Sequence, residues 1–314
     1  MSRSKIRVLV AEEVRDFLPQ VEVPDDVKIV WLHASQPVPE GDYKGLLPLL
    51  SRRIDAELLD RLPDVKVVAN YAVGYDNIDL DAAGARGIVV SNTPDVLTEA
   101  TADLTWALIL ATCRRLPEAE EVARHGRWNW QPTLLLGMEM NGRCLGLLGA
   151  GRIGQAVGRR AIPFGLDVVY WDQRPQPRFE AEAGARRIEK LTDLLAASDI
   201  VSIHLQLSPE TARLIGRAEL AQMKDGAVLI NTARGGMVDE DALCDFLESG
   251  KLRAAGLDVY EGEPEIRECL KRTPNAVILP HIGSATEDAR RRMFELAWSN
   301  LMRGIRGEPL LTPV

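Results

Sequence analysis

A chain of 314 residues is too long for one small core and points to about two domains. Its formal net charge of −8 argues against nucleic acid or an anionic membrane as the main partner, although local arginines can still set the field of a single cleft. No stretch approaches the roughly 20 apolar residues of a membrane span, and the polar start with its short apolar run at 6–11 does not read as a signal peptide. The expectation is a cytoplasmic protein. Cys113, Cys144, Cys244 and Cys269 are scattered, with neither a Cys-x-x-Cys pair nor metal-ligand spacing. They read as small, buried or half-buried apolar residues, and no metal is signalled.

In chain order, the pattern predicts strands at 6–10 and 27–31, and a third at 45–50 that Pro48 would interrupt. A helix over 54–62 and strands at 65–69 and 87–90 follow. Strands alternating with helices argue for a parallel sheet in an α/β layer. Residues 70–79 follow a strand, where such sheets carry their ligand loops. Small residues at Ala72, Val73 and Gly74 would leave backbone N–H groups open to an anion, while spacing alone fits an ordinary strand–helix turn. Residues 98–114 read as a long helix with Thr98 as N-cap. It is apolar nearly all round and so must be buried on several sides, as an interdomain spine or a subunit interface. Trp128 and Trp130 then stand in a Gly- and Pro-punctuated loop over 124–136, which suggests a packing arm, a lid or a contact to another subunit.

An apolar run at 145–148 leads into Gly149-Ala150-Gly151-Arg152-Ile153-Gly154, and a helical pattern follows. Gly149 suits the tight turn, Gly151 lets the backbone approach a pyrophosphate, and Gly154 lets helix and strand pack closely. The helix offers unpaired N–H groups and its positive dipole end to the phosphates. The motif alone is weak. A second strand at 167–171, ending in Asp172 at the spacing of a ribose-binding acid, makes dinucleotide binding the reading. Beyond it come a helix at 191–197 capped by Thr192, a strand at 199–205, a helix at 218–223, a strand at 227–231 and a helix at 239–248. Strands at 254–259 and 276–279 and a closing helix at 285–303 complete the chain.

Three polar residues follow strands of this second half. Arg234 comes after Asn231-Thr232-Ala233, Glu263 lies in Glu261-Gly262-Glu263-Pro264, and His281 follows Pro280. Each alone fits an ordinary surface or loop residue. Together they make chemical sense: hydride transfer at a carbinol carbon needs a base near neutral pH, which histidine supplies. A carboxylate beside it favours imidazolium and orients the ring. An arginine holds a substrate carboxylate through paired hydrogen bonds.

These blocks, with 73–79, 256–260 and 280–286, make the chain resemble the D-isomer-specific 2-hydroxyacid dehydrogenases, in particular the glyoxylate/hydroxypyruvate reductase branch. The resemblance runs from about residue 64 to the C-terminus. It implies two doubly wound parallel-sheet domains, with a Rossmann cofactor domain at 99–282 inserted into a discontinuous flavodoxin-like substrate domain at 1–98 and 283–314. It makes the residue matching His281 the acid/base and the one matching Glu263 its support. Arg234, with backbone at Val73 and Gly74, would bind the substrate. Cofactor contacts would fall at Thr101, at Gly149, Gly151, Arg152, Ile153 and Gly154 of the turn, and at Asp172. Thr232, Ala233, Asp258 and Gly283 would add to them, with Asp258 facing the nicotinamide side. The substrate would be a small 2-keto or 2-hydroxy acid, and Trp130 would match a tryptophan that reaches a neighbouring subunit's cleft. From the residues themselves, Asp172 favours NAD over NADP, and the all-round apolar helix with the Trp128/Trp130 loop makes a homodimer through the cofactor domain the expectation.

Two departures stand out. The family's usual His-x-Pro-Leu is here His204-Leu205-Gln206-Leu207, and 126–131 is shorter than in close relatives. Phosphite or phosphoglycerate dehydrogenase-like enzymes and NAD(H)-sensing co-repressors share the blocks and remain alternatives.

Overall fold

The structure, a computed structural model, describes residues 5–33, 36–126 and 128–314. Two compact units divide it, Met1–Leu97 with Ser284–Val314, and Thr98–Gly283. In the first unit, β1 (Ile6–Ala11), β2 (Val27–Leu32), β3 (Gly45–Leu47), α1 (Ala56–Asp60), β4 (Val67–Ala69), α2 (Leu80–Ala85) and β5 (Val89–Ser91) follow in order. These strands pair with one another in parallel, in the order β2-β1-β3-β4-β5. This is a doubly wound, flavodoxin-like arrangement. Val8, Leu9, Val10, Leu46, Leu47, Val67 and Val68 are fully buried, as strands covered on both faces must be. The strand expected at 45–50 stops at Leu47, before Pro48; Leu49 then makes only an isolated bridge to Tyr71. Aspartates start both short helices: Asp55 accepts from Leu58 N at 3.0 Å and Asp79 from Ala82 N at 2.8 Å.

The second unit opens with α3 (Thr98–Cys113) and α4 (Leu116–His125). Thr98 is the first residue of α3 rather than a cap outside it, and α4 runs through Arg124 and His125, which the sequence placed in the loop. Then come β6 (Cys144–Leu148), α5 (Arg152–Ala161), β7 (Asp167–Trp171), α6 (Pro177–Ala183), β8 (Arg186–Arg187), α7 (Leu191–Ala197), β9 (Ile200–Ile203) and α8 (Arg217–Gln222). β10 (Ala227–Asn231), α9 (Glu240–Glu248), β11 (Leu252–Leu257), α10 (Glu268–Arg272) and β12 (Ala276–Ile278) complete it. Thr192 lies inside α7, whose N-cap is Lys190 with no side-chain bond. The seven strands are parallel in the order β12-β11-β10-β9-β6-β7-β8. From β6 the chain winds one way through β7 and β8, then returns to β9 on the other side. β6 therefore borders the switch point where such sheets open a crevice at their carboxyl ends.

Cys244 in α9 and Cys269 in α10 are joined in a disulfide, which corrects the reading of four thiols; Cys113 and Cys144 stay free. A separation of 25 residues carries no motif, and only the packing of α10 on α9 brings the two together. After the second unit the chain returns to the first as α11 (Glu287–Ile305), capped by Thr286 and packed on β3 and β4. Gly45 and Gly304 permit that contact: a Cβ on Gly45 would lie 2.5 Å from Leu301, and one on Gly304 2.5 Å from Val67. No described helix is long and apolar enough to cross a membrane.

Candidate active site

The glycine turn sits at the carboxyl end of β6. Gly149 has φ +95°, left-handed backbone that a side chain disfavours. A Cβ on Gly154 would stand 2.1 Å from the Gly149 carbonyl, so helix and turn meet there only without one. At Gly151, the N-cap of α5, a Cβ would meet nothing within 4 Å. That open side, above the N–H groups of a helix start, fits a pyrophosphate. Asp172 stands beside it at the end of β7. Its two carboxylate oxygens accept from Ala150 N at 2.8 Å and Arg174 N at 3.2 Å. The expected ribose-binding acid is thus also a brace for the turn, and Arg187 holds the same corner by donating to the Asp172 and Gln173 carbonyls.

Under the turn lies His204, where the family motif departs. Burial pushes its imidazole down from 6.5 to about 3, so it is neutral, and Nε2 pairs with Ser202 Oγ at 2.9 Å. The His204 carbonyl would lie 2.8 Å from a Cβ on Gly149. His204 therefore shapes the floor of the turn.

The three polar residues singled out by chemistry meet at the ends of β10, β11 and β12. His281 Nδ1 lies 2.6 Å from Glu263 Oε2, and Glu263 Oε1 accepts from Tyr260 N at 2.9 Å. Burial alone would raise the Glu263 carboxyl. The His281 hydrogen bond and charge, the Tyr260 N–H and the Arg234 charge outweigh it and hold Glu263 below its ordinary value. An ionised carboxylate only accepts, so Nδ1 carries the hydrogen and Nε2 is left to exchange a proton with a ligand. The two side chains are 26 % and 28 % exposed, and a pair so screened adds no more than about 1 kcal/mol to the fold. Its value is chemical.

His281 has φ +55°, a backbone region that costs a non-glycine residue about 1–3 kcal/mol. Asp258 holds the residues after it in place. Its carboxylate, fully buried, accepts from Ile282 N at 2.8 Å and Gly283 N at 2.7 Å. Burial raises the Asp258 carboxyl, against those N–H groups and the His281 charge. The Asp258 expected to face a nicotinamide accepts one backbone N–H on each oxygen and so braces the histidine turn. Thr101 on α3 lies beside Gly283, and Thr105 Oγ1 links the Thr101 carbonyl to Thr232 Oγ1 at 2.8 and 2.9 Å. Arg234 leaves a loop pinned by Asn231, whose Nδ2 donates to the Arg234 carbonyl and whose Oδ1 accepts from Ala233 N. Gly235 is obligatory there, since a Cβ would stand 1.8 Å from the Tyr260 carbonyl carbon.

Thr101, Thr232, Ala233, Arg234, Asp258, Glu263, His281 and Gly283 thus form one neighbourhood of the second unit, while Val73 and Gly74 belong to the first. The sequence missed a supporting cluster below Glu263. Buried Glu240 accepts from Glu261 N at 2.6 Å, and Arg267 pairs with Glu240, Asp241 and Glu261 at 2.9–3.2 Å. Its only trace in the sequence is the run of acids at 239–241.

Residues 106–283 match the family described as D-isomer specific 2-hydroxyacid dehydrogenase, NAD binding domain. The chain is 47% identical over 272 residues to the glyoxylate reductase of Thermococcus litoralis, covering 85% of this chain and 82% of that one. With the glyoxylate reductase of Pyrococcus furiosus the identity is 42% over 313 residues, covering 98% and 89%. A solved structure of the NADPH-dependent glyoxylate/hydroxypyruvate reductase of Sinorhizobium meliloti, in complex with NADP and malonate, superposes with a TM-score of 0.88. That pair shares 35% identity and covers 99% and 97% of the two chains. The fold and the site define a nicotinamide-dependent oxidoreductase. The chain belongs to the D-isomer-specific 2-hydroxyacid dehydrogenase family, and the relatives named here are its glyoxylate reductases.

Proposed function

We propose that this protein reduces a small 2-keto acid, glyoxylate or hydroxypyruvate, to the corresponding 2-hydroxy acid, of D configuration where that product is chiral, with NADH preferred over NADPH. The observation that carries the reading is the His281–Glu263 pair at 2.6 Å beside Arg234, at the strand ends of an NAD-binding domain. Bound NADH supplies the hydride that the 2-carbon receives. Gly149, Gly151, Arg152, Ile153 and Gly154 would hold its pyrophosphate and Asp172 its ribose. Thr101, Thr232, Ala233, Asp258 and Gly283 would line the nicotinamide end.

The residues of the chain do the rest. His281 enters as imidazolium and gives the Nε2 proton to the carbonyl oxygen, leaving neutral imidazole whose Nδ1–H stays on Glu263. Arg234 anchors the carboxylate and draws charge onto that oxygen, an effect of orientation and electrostatics. Backbone N–H groups at Val73 and Gly74 are further donors to the carboxylate. A cytoplasmic homodimer completes the proposal.

The decisive measurement is turnover of a keto-acid panel by the unmodified protein and by His281→Ala. The variant should lose about 10²- to 10⁴-fold in kcat, the span of general acid–base catalysis, while NADH titrates as before. Near-normal turnover in His281→Ala removes the assignment. Cofactor binding without turnover of any acid in the unmodified protein favours a nucleotide-sensing binding protein instead.

A further inference from the structure

The loop after β4 presents three successive peptide groups whose carbonyls are all tied down inside the first unit. Thr93 N donates to the Ala72 carbonyl at 2.8 Å. Asn92 Nδ2 donates to the Val73 carbonyl at 2.7 Å, and Asn70 Nδ2 to the Gly74 carbonyl at 2.9 Å. A trans peptide is planar, with its C=O and N–H pointing opposite ways. The N–H of Val73 therefore points away from Thr93, that of Gly74 away from Asn92, and that of Tyr75 away from Asn70. No hydrogen bond among the described residues takes any of the three.

The two asparagines are themselves over-determined. Asn70, fully buried, exchanges amide hydrogen bonds with Asn77 at 3.1 and 3.2 Å, and Asn77 also donates to the Arg52 carbonyl at 3.1 Å. Asn92 is fixed through its backbone, whose carbonyl accepts from Thr312 Oγ1 at 2.6 Å. A buried amide network so fully paired holds one arrangement of the loop. Small side chains at Ala72 and Gly74 leave the outward N–H groups accessible, the arrangement in which consecutive amides bind an anion.

We propose that Asn70 and Asn92 are positioning residues. By holding the Gly74 and Val73 carbonyls inward they aim the N–H groups of Val73, Gly74 and Tyr75 at the substrate carboxylate. This rests on the reading of the protein as a keto-acid reductase and adds Tyr75 N–H as a third donor. A carboxylate contact is made alike in ground and transition states, so its loss raises KM and leaves kcat.

The test compares Asn92→Ala, Asn92→Asp and Asn70→Ser with the unmodified protein, reading kcat, KM for glyoxylate, KM for NADH, and the Kd of oxalate as an unreactive carboxylate. Loss of one amide contact should raise the glyoxylate KM and oxalate Kd about five- to tenfold, with kcat and the NADH KM within about twofold. Asn92→Asp should be worse, because an acceptor then faces the Val73 carbonyl. Soluble Asn92 variants with unchanged glyoxylate KM and oxalate Kd overturn the proposal, whatever happens to Tm. Asn92 is half-buried, so its two variants decide the matter should Asn70→Ser fail to fold. If the unmodified protein reduced no keto acid, the functional reading would fall, and the oxalate titration would still decide the role of the loop.

Discussion

At the scale of single residues, the second-unit site is built from side chains whose backbone contacts fix them before any ligand arrives. Asp172 shows the consequence. A carboxylate at the end of β7 favours a ribose with free hydroxyls, and a 2′-phosphate in its place would meet a like charge. The competing cation, Arg174, has its N–H on Asp172 itself, which ties the loop back toward the acid. The unmodified enzyme should therefore show a higher kcat/KM with NADH than with NADPH, although the Sinorhizobium meliloti relative is NADPH-dependent. Asp172→Ser should move the ratio toward NADPH. Because Asp172 also accepts from Ala150 N, the variant should lose activity with both cofactors, by about 1–3 kcal/mol for the N–H left unpaired. An unmodified enzyme that prefers NADPH would show that Arg174 or Arg187 governs the corner.

At the scale of elements, α9 and α10 carry the segment that presents Glu263. Arg267 at the start of α10 joins Glu240, Asp241 and Glu261, and the Cys244–Cys269 bond fastens the same two helices. Closing a loop of 25 residues restricts the unfolded chain by about 3.5 kcal/mol. Tm should fall when the protein is reduced, and Cys244→Ala should start lower and no longer respond to reductant. Equal Tm with and without reductant would show that the bond adds nothing in solution. Neither α10 nor this bond was legible in the sequence, since a five-residue helix has too few positions for a period and a cysteine pair no local signature. The central strands were legible because burial on both faces leaves continuous apolar runs such as 145–148 and 227–231. Of the site, the turn glycines, Asp172, Arg234, Glu263 and His281 were visible as residue types at strand ends. Asn70 and Asn92 were not, because an asparagine acquires meaning only from the carbonyl it faces, and Asn92 lies 19 residues from Val73.

At the scale of the whole molecule, two parallel sheets bury their own strands, and what remains uncovered bears on assembly. The all-round apolar α3, expected to be buried on several sides, leaves only Glu99, Asp103 and Ala107 of its residues exposed. It packs against α5, β10, β11 and β12 of its own unit, with the Trp106 indole N–H on the Val157 carbonyl. The largest exposed apolar side chains, two tryptophans, lie in the arm that follows α4. Trp128 is 51% exposed and Trp130 79%, with Leu134 and Leu136 also exposed, before the chain re-enters the unit where Met138 N bonds the Cys113 carbonyl. A large aromatic carries about 150–250 Å² of surface, so covering Trp130 alone is worth on the order of 4 kcal/mol. Leaving such an arm in water is costly, and a second copy of the chain placing its arm against the first would cover both by symmetry. Light scattering at micromolar concentration should give twice the chain mass of 34.6 kDa. Trp130→Glu should shift the protein toward monomer on dilution. If Trp130 reaches a neighbouring cleft, activity should fall with the dimer fraction. A monomer with full activity at all concentrations would leave the arm without that role.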